Sequence, residues 1–184
     1  MGATNSDASK AEEPGAPEQA GPVLIAYDGS PAAERGITDA AHLLVERRAL
    51  VLVVWRSGLG FESLGIPATP GLPPTLIDIP TALEIDESQH EGAERLARKG
   101  ARMARDAGFD AEALVVADAR EASVSGTIVR VARERRACAV VVGEHTHGRL
   151  EEVFLGDTAR DLIRHAPCPV IVVRDPEAPP SATD

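Results

Sequence analysis

Five short stretches of this chain are apolar without interruption: Val23 to Tyr27, Ala49 to Trp55, Ala113 to Ala117, Cys138 to Gly143 and Pro169 to Val173. A strand that shows one face to water alternates apolar and polar residues. A strand covered on both faces reads as a continuous run of Val, Leu and Ile. The segments between these runs have helical spacing instead. Ile37, Ala40, Ala41, Leu44 and Val45 form one stripe, and Ala93, Leu96, Ala97, Gly100, Met103, Ala104 and Ala107 a second. Val124, Ile128, Val131 and Ala132 form a third, and Ala159, Leu162, Ile163 and Ala166 a fourth. Strands that alternate with helices connect through right-handed crossovers, which predicts an α/β fold: an open, five-stranded parallel sheet with helices on both faces, of Rossmann-like type.

Two kinds of segment fall outside this rhythm. Residues 1–21 and 175–184 are rich in Ala, Glu, Pro, Gly and Ser, too poor in bulky apolar groups to offset the entropy of ordering them, and are expected to be disordered. Residues 56–81 contain nine Gly or Pro, yet also Phe61, Leu64, Ile66, Leu72, Leu76, Ile77 and Ile79. That pattern predicts a long loop lying on a pocket mouth, a partner subunit or its own domain. The folded unit is accordingly expected over residues 22–174.

Charge narrows the function. Lys10 against Asp7, Glu12, Glu13 and Glu18, with Arg174 against Asp175, Glu177 and Asp184, places half of the formal net charge of -10 at the two ends. Such acidity disfavours nucleic acid and anionic membranes, both of which need clustered Lys and Arg. No apolar run reaches the ~20 residues of a spanning helix, and the leading segment has no signal-peptide core. Cys138 and Cys168 make neither a disulfide framework nor a zinc site. A soluble cytoplasmic domain is the expectation.

Ligands of open parallel sheets bind beyond the carboxyl ends of the strands. Two loops there carry polar groups. Asp28-Gly29-Ser30-Pro31 is at once a turn with a helix cap and a place where Asp28 can accept hydrogen bonds from a ligand. Gly143-Glu144-His145-Thr146-His147-Gly148-Arg149, followed by Gly156-Asp157-Thr158, brings glycines and a helix start together, as phosphate sites require. His145 and His147 lack a third ligand at useful spacing, so a metal is not expected.

The residues Val23-Leu24-Ile25-Ala26-Tyr27-Asp28-Gly29-Ser30, Val140-Val141-Val142-Gly143, Leu155-Gly156 and Arg164 to Val173 closely resemble the universal stress protein pattern across roughly residues 22–174. The resemblance implies strand order 3-2-1-4-5 and homodimers. In one branch of the family it also implies ATP or another adenine nucleotide at the strand ends. It places candidate nucleotide contacts at Ala26, Asp28, Val54, Gly143, His145, Thr146, Gly148, Arg149, Gly156, Asp157 and Thr158. Candidate dimer contacts fall on the last strand, at Pro169, Val170, Ile171, Val172 and Val173, where an apolar sheet edge invites a second copy.

The nucleotide-binding branch is marked by G-x-x-G, nine residues, then G-S or G-T. Here Thr146 replaces the second glycine and Asp157 the Ser or Thr. A β-branched residue resists positive φ, and Asp157 is expected to cap the following helix and fill the anion slot. Two like charges about 4 Å apart repel by ~1 kcal/mol in water and ~4 at an effective dielectric constant of 20. A triphosphate would lose between several-fold and about a thousandfold in affinity. The expectation is a non-catalytic, dimeric stress-response module with a degenerate nucleotide site and no required cofactor. The alternative is an adenine-nucleotide-binding member of the same family. A more distant one is a phosphoacceptor domain using Asp118. A hydrolase is disfavoured, because there is no G-x-S-x-G turn.

Overall fold

The computed structural model describes residues 21–45, 48–57, 78–118, 123–144 and 156–174. Both tails, most of the long Gly/Pro-rich segment and the loop carrying His145, Thr146, Gly148 and Arg149 lie outside them. In chain order the elements are β1 (Val23–Ala26), α1 (Pro31–Leu43), β2 (Arg48–Arg56), α2 (Asp78–Asp106), β3 (Asp110–Asp118), α3 (Val124–Glu134), β4 (Ala139–Gly143), α4 (Asp157–His165) and β5 (Val170–Val173).

All neighbouring strands are parallel, in the order β3-β2-β1-β4-β5. The strand in the middle, β1, is deeply buried, with Val23, Leu24 and Ile25 all inaccessible to solvent. Ile25 of β1 is in register with Val51 on one side and Val141 on the other. Each strand then sends alternate side chains to opposite layers. Val23, Ile25, Tyr27, Val51, Val53, Val141 and Val173 meet Ile37 and Ala40 of α1 and Ala93, Ala97, Ala101 and Ala104 of α2. Leu24, Leu52, Val140 and Val142 meet Ile128, Val131 and Ala132 of α3 and Ala159 and Leu162 of α4. Burying a Leu or Val of this kind is worth about 1.5–3 kcal/mol each, which is why the unbroken apolar runs predict the sheet so directly.

Several boundaries differ from the expected ones, β3 most among the strands, since it runs from Asp110 to Asp118. Arg56 closes β2, and α2 begins at Asp78, so residues 78–81 belong to a helix rather than to the loop. Pro80 stands in the first turn of α2, where an N–H has no intrahelical partner anyway, so the proline that reads as a breaker is tolerated. The exposed part of α2 is laced by pairs four residues apart, Glu91 with Arg95 at 3.3 Å and Glu94 with Arg98 at 3.1 Å. At α1 the apolar stripe outruns the helix: Leu44 is the C-cap and Val45 is exposed. β3 is an outer strand, and Ala113 and Ala117 face solvent.

Candidate functional site

The carboxyl ends of β1, β2 and β4 converge with the first turns of α1 and α4. After β1 the chain extends the ladder once more, the amide of Tyr27 donating to Leu52 O at 2.8 Å. It then turns sharply through Gly29 at φ +82°, a left-handed conformation that glycine adopts without strain. Asp28 Oδ1 accepts from the Ser30 amide at 3.0 Å, and Ser30 Oγ accepts from the Ala33 amide at 3.1 Å, capping α1. The turn-forming role of this loop is therefore realised. Ala26 and Val54 are half-buried and belong to the same layer, on the α3/α4 side of the sheet, so the structure brings these two candidates to one face.

Gly143 has a packing role. A Cβ built there would lie 2.7 Å from the backbone nitrogen of Ala33 and 2.9 Å from the carbonyl carbon of Ala32. The first turn of α1 thus rests directly on the end of β4. Alternation then turns the next residue, Glu144, to the opposite layer. Its amide continues the β4–β5 ladder to Val173 O at 2.7 Å, and its Oε2 lies 3.1 Å from Nε of Arg174. Glu144 is only 5% exposed, whereas the Arg174 side chain is 68% exposed. Sequence reasoning passed over Glu144. The available signal was an acidic residue directly after a fully apolar strand, with a basic one at the matching position after the neighbouring strand.

The start of α4 corrects one expectation. Gly156, not Asp157, is the N-cap, and having no side chain it makes no cap bond to the first amides. Asp157 is the first helical residue. Its carboxylate is fully exposed and 4.0 Å from Arg160. The reason is local: the N-cap must be extended, and Gly156 at φ -52°, ψ 150° takes that role one residue earlier. Asp157 therefore bears on an anion through its charge alone. Thr158 is half-buried beside it. His145, Thr146, Gly148 and Arg149 fall outside the described residues.

On the other face, three elements are tied together at the same end. Tyr27 Oη donates to Glu34 Oε1 at 3.3 Å, and Lys99 Nζ of α2 donates to the same oxygen at 2.7 Å. The Lys99 hydrogen bond holds the Glu34 carboxyl below the usual range, and Glu34 in turn raises Lys99. Burial, and then the Glu34 charge, pushes the Tyr27 phenol up. Further along α2, His90 packs against Trp55 with ring centroids 5.3 Å apart, and its Nε2 is 3.4 Å from Glu94.

The remaining polar groups serve the fold. Asp118, 5% exposed at the end of the outer strand β3, accepts from Thr127 Oγ1 at 3.1 Å, and its carbonyl accepts from Ser57 Oγ at 3.3 Å. That carboxylate, two strands away from β1, is thereby tied to α3. Ser125 Oγ donates to Asp161 at 3.1 Å, and His165 Nδ1 lies 2.9 Å from the Asp161 carbonyl, a helix-end contact. Cys138 and Cys168 are not disulfide-bonded and pack against opposite layers. Burial, reinforced by Cys138, pushes the Cys168 thiol up, away from the reactive thiolate. Among the described residues no group of three or more His, Cys, Asp or Glu is arranged to hold a metal ion, and no helix is long and apolar enough to cross a membrane.

At the other edge of the sheet, β5 shows Val170, Ile171 and Val172 half-exposed, with Pro169 exposed and Val173 buried. A groove of about 510 Å³ runs between β5 and α1, lined by Arg35, Asp39, Leu43, Ile171, Val172 and Arg174 among others.

An open, doubly wound parallel sheet in the order 3-2-1-4-5, with helices packed on both faces, defines a Rossmann-like α/β domain. The profile of the universal stress protein family matches residues 69–174, and the chain belongs to that family. Universal stress protein UspA from Lactobacillus plantarum is similar in structure, with 19% identity, 84% of this chain and 98% of that one covered, and a TM-score of 0.60. The universal stress protein of Archaeoglobus fulgidus shares 25% identity over 83% of this chain and 97% of its own, at a TM-score of 0.52. A universal stress protein family protein from Arabidopsis thaliana, solved with AMP bound, shares 15% identity over 89% of this chain and 99% of its own, at 0.54. A search of curated proteins found no match.

Proposed function

We propose that this chain acts as a non-catalytic, dimeric stress-response module whose strand-end nucleotide site is degenerate, with ATP bound weakly or not at all. The observation that carries the reading is the chemistry at the start of α4. Where the nucleotide-binding branch of the family offers a hydroxyl, this chain presents the Asp157 carboxylate beside the helix amides. Because that carboxylate is fully exposed and close to Arg160, its repulsion of a phosphate belongs near the aqueous limit, ~1 kcal/mol at 4 Å. That amounts to several-fold in affinity. The weakening is therefore modest from Asp157 alone.

The dimeric part of the proposal draws on β5. A four-residue apolar edge with half-exposed Val170, Ile171 and Val172 leaves backbone N–H and C=O groups to be paired by another strand. Two copies meeting antiparallel about a two-fold axis would do so. The second reading, an adenine-nucleotide-binding member, is favoured by one specific feature: the N-cap of α4 is Gly156, which has no side chain to bond the first amides, and a helix start of that kind suits an anion. The AMP in the plant neighbour is in keeping with it.

Sedimentation velocity of the full chain at tens of micromolar, with calorimetric titration of ATP and adenosine, tests both parts. The expected result is a dimer with weak or absent ATP binding, and a several-fold gain for ATP, not adenosine, in Asp157→Ser. A strictly monomeric mass refutes the dimer. Tight ATP binding by the unmutated protein moves the assignment to the second reading.

A further inference from the structure

We infer that Glu144, clamped by Arg174, is the residue that sets the charge preference of the strand-end site, turning it against polyphosphates and toward adenine compounds of low negative charge. The inference rests on the reading of that site given above and names its ligand class. Three observations place Glu144. It follows Gly143, whose own side faces the first turn of α1, so alternation directs Glu144 toward α3 and α4. Val142 and Val172, two residues before Glu144 and Arg174 on their strands, lie in that layer with Ala159 and Leu162 of α4. Ala159 is in the first turn of α4, so a side chain one strand repeat further along stands at the level of that helix start. Finally, Glu144 is 5% exposed, so its charge is weakly screened, unlike that of Asp157.

The chemistry follows from these positions. A helix start attracts anions, and a buried carboxylate on the same side of the sheet supplies a negative charge from the protein itself. Arg174 forms an ion pair with Glu144, and that pair commits the guanidinium to the carboxylate rather than to a ligand phosphate. The penalty on a ligand grows with its charge, so adenosine and AMP are tolerated better than ADP and ATP. Arg174, largely exposed beyond its Nε contact, becomes a phosphate ligand only when a neutral side chain replaces Glu144.

The test is calorimetric titration of the full chain with adenosine, AMP, ADP and ATP, for wild type, Glu144→Gln, Arg174→Gln and the double variant. Glu144→Gln keeps the shape and an acceptor for Arg174. It is expected to raise ATP affinity roughly tenfold, AMP less and adenosine less than about twofold. The double variant should lose most of the ATP gain. Arg174→Gln alone should weaken ATP further. If that variant unfolds because it strands a buried carboxylate, the ligand series on Glu144→Gln still decides the matter. An equal gain for adenosine and ATP, or no gain, overturns the inference and leaves Glu144 a structural residue. No binding of any ligand by any variant also overturns it, while the dimeric module with a degenerate site stands. Tight ATP binding by wild type refutes that degenerate reading, whatever the variants do.

Discussion

Replacing Gly143 with Ala separates a packing role from a ligand-binding one. The added Cβ would sit 2.7 Å from Ala33 N, 2.9 Å from Ala32 C and 3.0 Å from Ala32 Cβ. These are backbone atoms and a short side chain of a capped helix start, so nothing flexible can swing aside. The first turn of α1 must move off β4 by several tenths of an ångström. Overpacking of this kind costs about 1–3 kcal/mol, partly offset by the smaller entropy of the unfolded Ala chain, about 0.4–1 kcal/mol. The net expectation is about 1–2 kcal/mol lost. Gly92 supplies the opposite case. It lies inside α2, and a Cβ there meets only Arg95 Nη2 at 3.8 Å. Gly92→Ala should therefore stabilise by up to ~1 kcal/mol through helix propensity. Urea unfolding followed by circular dichroism reads both, with midpoints moving in opposite directions at unchanged m. If Gly143→Ala falls within about 0.5 kcal/mol of wild type, the close approach of α1 does not constrain this position. The glycine would then be explained by a ligand.

Two further outcomes follow from the same geometry. Leu24→Ala, at a fully buried position of the central strand, should cost about 2–5 kcal/mol in urea unfolding, whereas Leu83→Ala, at an exposed position of α2, should stay within about 0.5 kcal/mol of wild type. Lys99→Met should lower the melting temperature slightly near neutral pH. The Glu34 carboxyl is depressed in the folded state, so the stabilisation is present above its ordinary value of 4.5 and fades as pH falls through the folded value. Wild type and variant should therefore converge in acid. They should also converge above pH 10.5, where the raised Lys99 loses its proton, and at high salt, because the pair is partly exposed.

Much of this architecture was legible in the chain. A segment buried on both faces leaves no room for polar alternation, so Leu24 and Ile25, or Val140 and Val141, announce strands whatever surrounds them. Ser30 followed by Pro31 likewise states where a helix starts, because capping is a contact between near neighbours. Strand order was also legible, but through resemblance to a family rather than from periodicity, since an apolar run does not say which other run lies beside it. Helix limits were less visible: Pro80 reads as a breaker until its place in a first turn is known, and Val45 continues a stripe after the helix has ended.

The site divides along the same line. The expectation of a ligand at the strand ends and a second copy at β5 came from the sequence and the family it resembles. What each polar residue does there was decided by tertiary structure. Asp157 was expected to fill the anion slot as a cap, yet one residue of register makes Gly156 the cap and leaves the carboxylate in solvent. Gly143 looked like a phosphate contact, and it is held by the backbone of α1, 110 positions earlier for Ala33. Glu144 drew no attention beside two histidines, yet its place between Gly143 and the β5 ladder buries it against Arg174. Local rules settle which segments become strands, helices and turns, because those choices depend on residues a few positions apart. Burial and charge environment depend on which distant segment closes over a group, and that is set only when the layers pack.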